Sequence, residues 1–457
     1  MTIPLLRPYQ NKSIQELRDK IRDGLKRIVL VCPTGSGKTT IAAEVIRMCV
    51  ANKKSVLFLA HRQELVFQAQ DRIKKIGIEP GIIMSGHKHF PSQVNIASIQ
   101  TLNNRNKPNA DVIILDECHH SVSKSTSALL NHYNNNSIII GLTATPYRLD
   151  GKPLGDIFQG LVEPVTIREL IESGYLVEPC YYAPKDQIDT SHIKKQHGEF
   201  NIQQLFAEAD KRILYDGVVN NYKKFCDGQR AIVFNVNKQH SQNMRDFFIR
   251  DGISAVHIDC DTPSKLRIQI LKDYKDGIYK VINNVGLLCE GYDLPSVSGI
   301  IINRATTSKC LYFQMCGRGL RPHEDKTHCV IIDHGGNIQR FGLLDEEQTH
   351  DLFKKQKEKI PGESPLKICP SCEALIHARI MICENCGHIF EKKESELKQS
   401  EFIEIINFKN VPDLGVVPER LQKPFRQMTE EELEEYRSIK NYKHGWKFHV
   451  RKLIYTK

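Results

Sequence analysis

Residues 32–39, with the sequence CPTGSGKT, have the residue types and the spacing that can hold a phosphate chain. Glycines let a backbone wrap closely around phosphate, its N–H groups then point inward, and a following helix adds partial positive charge. The apolar run 28–31 and the periodic stretch 40–50 predict a strand before this turn and a helix after it. The strict pattern begins with Gly where this chain has Cys32, so an accidental turn stays open until a second motif is found.

The residues of this loop are candidates for binding a nucleotide, and two of them have a specific expected role. Lys38 would reach the β- and γ-phosphates, and Thr39 would hold Mg²⁺. The nucleotide-binding candidates of the loop are Thr34, Gly35, Ser36, Gly37, Lys38, Thr39 and Thr40. Upstream, Arg7 and Gln10 are further candidates, because an amide that both donates and accepts can read the edge of an adenine. A Gln is also common in loops that bind nothing.

Two adjacent carboxylates supply the second half of a nucleotide-hydrolysing site. The apolar run 111–115 predicts a buried strand, and Asp116 and Glu117 follow it, 78 residues after Lys38. Asp116 is expected to hold Mg²⁺, directly or through water, and Glu117 to polarise the attacking water. The alternative is a solvated acidic turn, which the phosphate loop upstream makes the poorer explanation.

Three other apolar runs end in polar residues. These residues are His61 and Arg62 after 55–60, Gln100 and Thr101 after 94–99, and Thr143 and Thr145 after 137–140. Ligands of open parallel sheets bind beyond the carboxyl ends of the strands. The pattern therefore predicts that all of these residues lie along one ligand-binding edge.

The set GSGKT, DECH and TAT at 35–39, 116–119 and 143–145 resembles the motor core of the superfamily 2 helicases. The downstream motifs of that core are matched by AIVFN at 231–235, EGYD at 290–293 and QMCGRGLR at 314–321. The resemblance covers about residues 5–335. The stretch GLTATPYRLDGKPLGDIF at 141–158, followed by paired CxxC motifs, looks like the RadD-like bacterial DNA-repair ATPases or a phage relative.

The resemblance implies an α/β fold with two tandem RecA-like parallel-sheet domains and ATP in the cleft between them. It makes Gln314, Arg318 and Arg321 catalytic candidates, with Arg321 as the arginine finger that brings positive charge from the second lobe. Hydrolysis would then depend on closure of the lobes. By the same resemblance, Gly291 and Asp293 are nucleotide-binding candidates, and Asp293 would contact the ribose or help to link the lobes.

A nucleic-acid face is expected across the top of both lobes. The candidate contacts are Arg62, Gln100, Thr101, Thr143, Thr145 and residues near Asn284 and Val285, and the two threonines of the TAT motif would also connect this face to the nucleotide cleft. Contacts to phosphates and sugars make such binding largely independent of sequence. For each residue alone, a capping or packing role is an equal alternative.

Composition limits the class of protein. The net charge of +10, from 64 basic and 54 acidic residues, favours a polyanion partner, although a mildly basic enzyme without one stays open. No apolar run approaches the roughly 20 residues of a membrane span, and the N-terminal sequence lacks a signal-peptide layout, so a cytoplasmic protein with no membrane partner is expected. Fourteen cysteines, four of them clustered, indicate a reducing compartment with one metal site.

The clustered cysteines are Cys369, Cys372, Cys383 and Cys386. Two CxxC pairs at this separation give four thiolates for a tetrahedral Zn²⁺, with an iron–sulfur cluster or redox thiols as alternatives. His388 is expected to be a bystander because four cysteines already fill the site. The apolar residues 375–376 and 380–382 predict a short hairpin between the two pairs.

The expected domains are lobe 1 at 1–165, lobe 2 at 166–340, a linker at 341–365, a zinc ribbon at 366–390 and a basic, aromatic, helical tail at 391–457. Residues 429–432, TEEE, predict a capping box at the start of a helix. The last 22 residues contain seven Lys or Arg and no acid. There, base stacking on Trp446 and packing on the body are equal alternatives. By the resemblance, a single-stranded-DNA-binding protein is a candidate partner of this tail.

We therefore predict an ATP-hydrolysing motor that uses ATP, Mg²⁺ and Zn²⁺. DNA is favoured over RNA, and the expected role is that of a DNA helicase, translocase or DNA-dependent ATPase in repair or replication. An RNA helicase stays open because the core motifs do not distinguish the two polymers. An ATP-gated adaptor, which hydrolyses ATP without unwinding, also stays open.

Overall fold

The computed structural model describes residues 6–120, 124–133, 137–148, 153–184, 187–196, 198–346, 350–354, 366–390, 419–421 and 427–439. These residues fall into two units, Met1–Phe390 and Glu391–Lys457. The first unit contains every strand of the described residues and all but one of their α-helices.

The first sheet has seven strands, all parallel. They are β1 (Arg27–Val31), β2 (Val56–Ala60), β3 (Gly81–Ile83), β4 (Val94–Ser98), β5 (Val112–Leu115), β6 (Ile138–Thr143) and β7 (Gly160–Val162). Their order across the sheet is β3-β4-β2-β5-β6-β1-β7. Because the strands are parallel, their carboxyl ends share one edge, which carries the phosphate loop after β1 and the acidic pair after β5.

Helices cover both faces of this sheet. They are α1 (Pro8–Arg22), α2 (Lys38–Ala51), α3 (Gln63–Lys75), α4 (Ile99–Asn103) and α5 (Lys124–His132). In β1, Ile28 and Leu30 pack in one apolar core, and Val29 and Val31 pack in another on the opposite face. Strands buried on both faces have continuous apolar runs, and these runs predict the positions of the central strands.

The second sheet has six parallel strands and two antiparallel ones at one edge. In chain order they are β8 (Glu178–Tyr182), β11 (Ala231–Asn235), β12 (Ala255–Ile258), β13 (Val281–Asn284), β14 (Gly299–Asn303), β15 (His328–Asp333), β16 (Leu366–Ile368) and β17 (Leu375–His377). Their spatial order is β12-β13-β11-β14-β15-β8-β17-β16. We call the part built on the first sheet lobe 1 and the part built on this sheet lobe 2.

Seven helices and one small hairpin belong to the connections and faces of lobe 2. The hairpin pairs β9 (Lys195–Gln196) with β10 (Glu199–Phe200). The helices are α6 (Ile167–Glu172), α7 (Ile202–Ala209), α8 (Arg212–Cys226), α9 (Lys238–Arg250), α10 (Ser264–Lys275), α11 (Lys309–Gly317) and α12 (Asn337–Phe341). Two parallel sheets with helical connections confirm the predicted α/β fold with two tandem lobes.

The cysteine ribbon is an extension of the sheet of lobe 2. Its strand β17 lies antiparallel to β8, with Leu375 opposite Tyr181. The hairpin predicted between 375–376 and 380–382 is wrong, because β17 pairs with β16 and Ile382 forms a bridge with Ile389. The physical reason is that each CxxC pair is itself a tight turn, so the residues before and after each turn pair with one another.

Part of the chain after α12 packs against both lobes. Residues 343–346 and 350–354 are the described part of this segment, and we call them the strap. Leu343 and Leu344 are buried in the core of lobe 2, and Leu352 is buried in a core of lobe 1. This segment lies within the predicted linker, and its buried leucines give it a role in packing.

The second unit is described at residues 419–421 and 427–439 and contains helix α13 (Glu430–Ile439). The predicted capping box is confirmed, because Thr429 Oγ1 accepts from the Glu432 N–H at 3.3 Å and Glu432 Oε2 accepts from the Thr429 N–H at 2.7 Å. Trp446 lies outside the described residues. Among the described helices, none combines the length and the apolar character that crossing a bilayer requires.

Candidate active site

The phosphate loop has the backbone conformation that its glycines predict. Gly35 and Gly37 have φ angles of 88° and 85°, in the left-handed region that favours glycine. Gly37 directly precedes α2, so Lys38 and Thr39 stand at the helix N-terminus. Lys38 Nζ donates to the Cys32 carbonyl at 3.3 Å, so the ammonium is folded over the loop.

Cys32 does not obstruct this loop. Its side chain is fully buried in the core of lobe 1, and burial raises the pKa of the thiol to about 12. A neutral thiol directed into the core behaves as a small apolar side chain. The departure from the strict pattern is therefore a packing change, and the accidental-turn explanation loses its support.

Helix α1 holds the loop from the N-terminal side. The Tyr9 hydroxyl and Gln10 Nε2 both donate to the Ser36 carbonyl, at 2.5 and 3.1 Å. Gln10 Oε1 accepts from the Arg7 N–H at 3.0 Å, and the Arg7 guanidinium lies 4.3 Å from the centre of the Tyr175 ring. Both ends of the Gln10 amide are thus engaged with protein, and its contact with adenine stays a prediction.

Asp116 and Glu117 lie where β5 ends, on the same edge as the phosphate loop. Burial and the neighbouring Glu117 carboxylate raise the pKa of Asp116, while the positive charge of Lys38 acts in the opposite direction. Glu117 has a φ angle of 47°, which is unfavourable for a residue with a Cβ. Backbone strain of this kind is characteristic of residues held in place for chemistry.

A buried chain of polar groups connects the acidic pair to lobe 2. His119 Nδ1 lies 3.1 Å from Thr143 Oγ1 and 3.4 Å from Glu117 Oε2. On the other side of the ring, His119 Nε2 lies 3.4 Å from Gln314 Nε2 in helix α11. Thr143 Oγ1 donates to the Thr145 carbonyl at 2.7 Å. The structure therefore brings residues of the DECH, TAT and QMCGRGLR motifs together.

Lobe 2 packs directly on the phosphate loop. A Cβ added to Gly317 would lie 2.6 Å from the Thr34 Cβ, so only glycine permits this approach. A Cβ added to Gly35 would lie 3.0 Å from Leu176 and 3.5 Å from the Arg321 side chain. The lobes are thus in contact at the loop where the phosphates are expected.

The two candidate arginines are held by the loop that follows residue 288. Arg318 Nε donates to the Cys289 carbonyl at 2.9 Å, and burial, with Arg321 nearby, lowers the pKa of Arg318 to about 10. Arg321 Nη1 donates to the Tyr292 carbonyl at 3.0 Å and to Asp293 Oδ1 at 2.7 Å. Asp293 therefore contacts the predicted finger itself.

Glu290 lies in the EGYD motif and is a site residue that the sequence patterns do not single out. The Glu290 side chain is 4% exposed, and its Oε2 lies 3.0 Å from His61 Nε2 and 3.4 Å from Arg62 Nε. Its Oε1 lies 4.0 Å from His119 Nε2. A second contact across the lobes joins Arg267 to Glu64 at 2.8 Å. An acidic residue in a motif of lobe 2 was the available signal.

The candidate nucleic-acid contacts differ in how exposed their side chains are. Arg62 is partly exposed beside Glu290, and Gln100 donates to the His61 carbonyl at 3.0 Å, so these loops adjoin one another. Thr101 is partly exposed on α4. Thr143 and Thr145 are buried, at 0% and 4% exposure, which suits a connecting position better than a surface contact.

The cleft fits a magnesium-bound nucleoside triphosphate. Ser36 Oγ and Glu117 Oε2 are buried and make no hydrogen bond within the described part of the chain, although His119 Nδ1 lies 3.4 Å from Glu117 Oε2. Buried polar atoms are rarely left unpaired, so such atoms indicate a partner from outside the chain. Lys38 supplies positive charge beside them, and Asp116 supplies the oxygen that Mg²⁺ prefers.

The four ribbon cysteines form a candidate metal centre. Their sulfur atoms all lie within 4.8 Å of one another, and the pairs Cys369–Cys386 and Cys372–Cys383 are 3.6 and 3.7 Å apart. A tetrahedron with metal–sulfur bonds of about 2.3 Å has edges of roughly 3.8 Å. Asn385 Nδ2 lies 3.4 Å from Cys372 Sγ and 3.1 Å from the Tyr182 hydroxyl, so it connects this centre to β8.

Two family models match the chain. Residues 4–148 match "Type III restriction enzyme, res subunit", and residues 216–323 match "Helicase conserved C-terminal domain". A 51.5 kDa protein of a Lactococcus phage is 32% identical over 391 residues, which are 83% of this chain and 82% of that protein. The putative ATP-dependent helicase IRC3 of Saccharomyces cerevisiae is 32% identical over 73% of this chain, and the chain spans about half of that relative, 52%.

Two further comparisons are with a relative whose printed name gives an activity and with a solved structure. The DNA 3'-5' translocase XPB2 of Sulfurisphaera tokodaii is 25% identical over 72% of this chain and 81% of that protein. A putative HsdR subunit fragment of a type I restriction enzyme from Vibrio vulnificus has a TM-score of 0.60, with 22% identity, over 76% of this chain and 67% of that one. At this identity the structural likeness supports the two-lobe fold.

Proposed function

The chain belongs to the superfamily 2 helicases, a class of ATP-hydrolysing enzymes, and we propose that it is a motor that moves on DNA. The observation that carries this proposal is the contact of Gly317 and Arg321 with the phosphate loop. Hydrolysis at such a site depends on how the two lobes meet. A motor needs this dependence, because each turnover then changes the lobe arrangement and with it the grip on a polymer.

In the proposed reaction, each lobe contributes its own charges to ATP. Lys38 and the amides of residues 34–40 hold the β- and γ-phosphates, and Asp116 holds the magnesium ion. Mg²⁺ neutralises charge that develops on the phosphate oxygens. Glu117 orients and polarises the attacking water. Arg321 would add positive charge from lobe 2, where Asp293 is its partner in the structure.

In this proposal, the polymer lies along the edge formed by the carboxyl ends of the lobe 1 strands. Arg62 follows β2, and Gln100 and Thr101 follow β4, its neighbour in the sheet. Glu290 joins this region to the DECH motif through His119. Polymer contact at Arg62 would therefore act on the side chains that surround Glu117. DNA is favoured over RNA because the printed name of the XPB2 relative, DNA 3'-5' translocase, gives DNA as the polymer on which that protein acts.

ATP turnover measured in parallel with single-stranded, duplex and forked DNA and with RNA tests the proposal. We expect stimulation by at least one DNA form that exceeds stimulation by RNA. Equal or greater stimulation by RNA would favour an RNA helicase. Turnover that no nucleic acid stimulates would contradict a motor on either polymer. A strand-separation assay on the forked substrate distinguishes a helicase from an adaptor that hydrolyses ATP without unwinding.

We also propose that the cysteine centre binds one structural Zn²⁺. Elemental analysis is expected to find one zinc per chain, and the double change Cys369→Ser and Cys372→Ser should remove it. Because Cys369 and Cys383 pack in the same core as Tyr182 and Tyr222, metal loss should also lower the melting temperature of lobe 2. Turnover should persist in part, since the nucleotide motifs end before residue 335. The visible absorbance of an iron–sulfur cluster would contradict zinc.

Other expectations from the sequence remain predictions. They are membership of the RadD-like group, a role in DNA repair or replication, a cytoplasmic location and docking of a single-stranded-DNA-binding protein on the tail. The tail's candidate stacking residue, Trp446, lies outside the described residues, so its contact with a base also remains a prediction.

A further inference from the structure

The strap begins at a polar anchor in lobe 2. The Tyr181 hydroxyl accepts from the Leu344 N–H at 2.9 Å and donates to Asp345 Oδ1 at 2.7 Å. Asp345 also pairs with Arg168 of α6, the helix that follows the first chain crossing between the lobes. Leu343 and Leu344 are buried in the core below. This end of the strap is therefore fixed to lobe 2 by both packing and hydrogen bonds.

The far end of the strap is fixed to lobe 1. Leu352 is 4% exposed and packs in the core with Leu154, Ile157 and Phe158. The Leu352 carbonyl accepts from the Gly155 N–H at 2.7 Å, and the Asp351 N–H donates to the Tyr147 hydroxyl at 3.1 Å. Tyr147, which contacts this end of the strap, thus lies two residues after Thr145 of the TAT motif.

Gly155 allows the strap to approach lobe 1 closely, because it has no Cβ. A Cβ at that position would lie 2.4 Å from Phe353 Cδ1 and 2.7 Å from the Leu352 carbonyl oxygen. Neither distance is compatible with a real side chain, and the carbonyl belongs to backbone that cannot turn away. The glycine therefore allows the strap to lie flat on lobe 1, and any larger residue would lift it off.

The strap contacts the two lobes at one end of both sheets. His350 pairs with Glu163 at 2.5 Å, just beyond β7, which is the edge strand of the first sheet. The anchor at Tyr181 lies on β8, which is the last parallel strand of the second sheet. The first chain crossing, between β7 and β8, joins the same two strands. Two segments of chain therefore tie the lobes together at this end.

A separate group of polar contacts between the lobes lies at the other end. His61 and Arg62 follow β2, four strands from β7, and Glu290 follows β13 after a short turn, four strands from β8. At a strand spacing of about 4.8 Å, these contacts are roughly 20 Å from the strap. They are made by side chains alone, whereas at the strap end two covalent connections of the chain and the buried Leu343, Leu344 and Leu352 accompany the hydrogen bonds.

From this asymmetry we infer that the strap is a second hinge segment, with Leu352 as its latch. The lobes open at the Glu290 end and rotate about the strap end, and the seated Leu352 limits how far they part. A cavity of about 40 Å³ beside the phosphate loop is lined by Leu344 and His350 of the strap together with Thr34 and Gly317. The strap therefore lies beside the contact between Gly317 and the phosphate loop.

Two variants on opposite sides of the contact test the latch: Leu352→Ala removes the anchor, and Gly155→Ala lifts the strap. Each is expected to lower kcat for ATP about tenfold, because the lobes spend less time closed, and to change KM by less than about twofold, because the lobe 1 contacts to ATP are intact. Hydrogen exchange should become faster at residues 153–158 and also at 61–65. The remote change at 61–65 reports lobe opening, which a local packing defect would not produce.

The double variant separates a latch from two unrelated defects. Because both changes remove one contact, the double variant should have nearly the same kcat as either single variant. Lys354→Ala is the matched control, since this side chain in the same segment is 83% exposed and should leave kcat and exchange unchanged. Multiplied losses of kcat in the double variant, or lower melting temperatures with unaltered kcat and unaltered exchange at 61–65, would overturn the inference.

The inference rests on the proposed function only through the turnover assay. The exchange measurement needs no nucleic acid, so its outcome is independent of whether DNA stimulates the enzyme. A chain that opens at 61–65 in the variants but shows no DNA stimulation would have the hinge and lack the motor activity.

Discussion

Replacement of Glu117 by Gln is expected to stop ATP turnover while ATP still binds. The change keeps the size and shape of the side chain and removes the charge that polarises the attacking water. A positioned base typically contributes about 10²–10⁴-fold to rate, so turnover should fall at least to that extent. The phosphate contacts through Lys38 and the loop amides are unaffected, so a fluorescent ATP analogue should bind with nearly its original affinity.

Lys38→Ala is the matched comparison, because it removes a phosphate contact and should abolish both binding and turnover. The structure gives a further reason to choose Gln at position 117. The residue has a φ angle of 47° and is buried at 8% exposure, so a smaller side chain would change local packing as well as charge. Appreciable turnover in Glu117→Gln would show that another group activates the water.

Local patterns predicted the parts of the site that single segments build. The phosphate loop, the acidic pair and the capping box at Thr429 each depend on residues within a few positions of one another. Apolar runs located β1, β2, β4 and β5 to within one residue, because strands buried on both faces have no polar positions to obscure them, whereas β6 continues three residues beyond its predicted end. The one open point in the loop, Cys32, required the structure, since only burial shows which way its thiol points.

Contacts between distant segments could not be predicted in the same way. The approach of Gly317 to Thr34 and the pairing of Glu290 with His61 join residues more than 200 positions apart. The seat of Leu352 on lobe 1 is another such contact, hidden in a segment whose charged composition suggested a linker. The ribbon hairpin was predicted wrongly because its apolar residues could pair in two ways, and tertiary packing on β8 selects one of them.

Arg321→Ala is the second change with a large expected effect. Arginine fingers contribute about 10³–10⁵-fold to phosphoryl transfer, so kcat should fall by about 10³-fold or more. ATP affinity should change much less, since the ground-state contacts to the phosphates come from lobe 1. A binding titration beside steady-state kinetics separates the two quantities. Loss of affinity with unchanged kcat would make Arg321 a binding residue.

The partners of Arg321 in the structure make the test sharper. Its guanidinium is held by the Tyr292 carbonyl and by Asp293, and the Asp293 side chain is 76% exposed. The Asp293 carboxylate offsets part of the positive charge of the finger, so Asp293→Asn should weaken this hold without removing the finger. If Asp293 acts only as a resting partner, this variant should keep or raise kcat. If Asp293 also contacts ribose, KM for ATP should rise.

Arg318→Ala completes the comparison, because the two arginines share the Tyr292 carbonyl and differ in burial. Arg318 is 8% exposed, and its bonds to the carbonyls of Cys289 and Tyr292 fix the loop that carries Glu290. Its removal should lower both kcat and the melting temperature, whereas removal of Arg321 should lower kcat and leave stability nearly unchanged. Arg321→Lys adds the last distinction, since lysine keeps a positive charge and loses the planar fork. Partial recovery of kcat in Arg321→Lys would show that charge at the γ-phosphate, more than bidentate geometry, is what lobe 2 contributes.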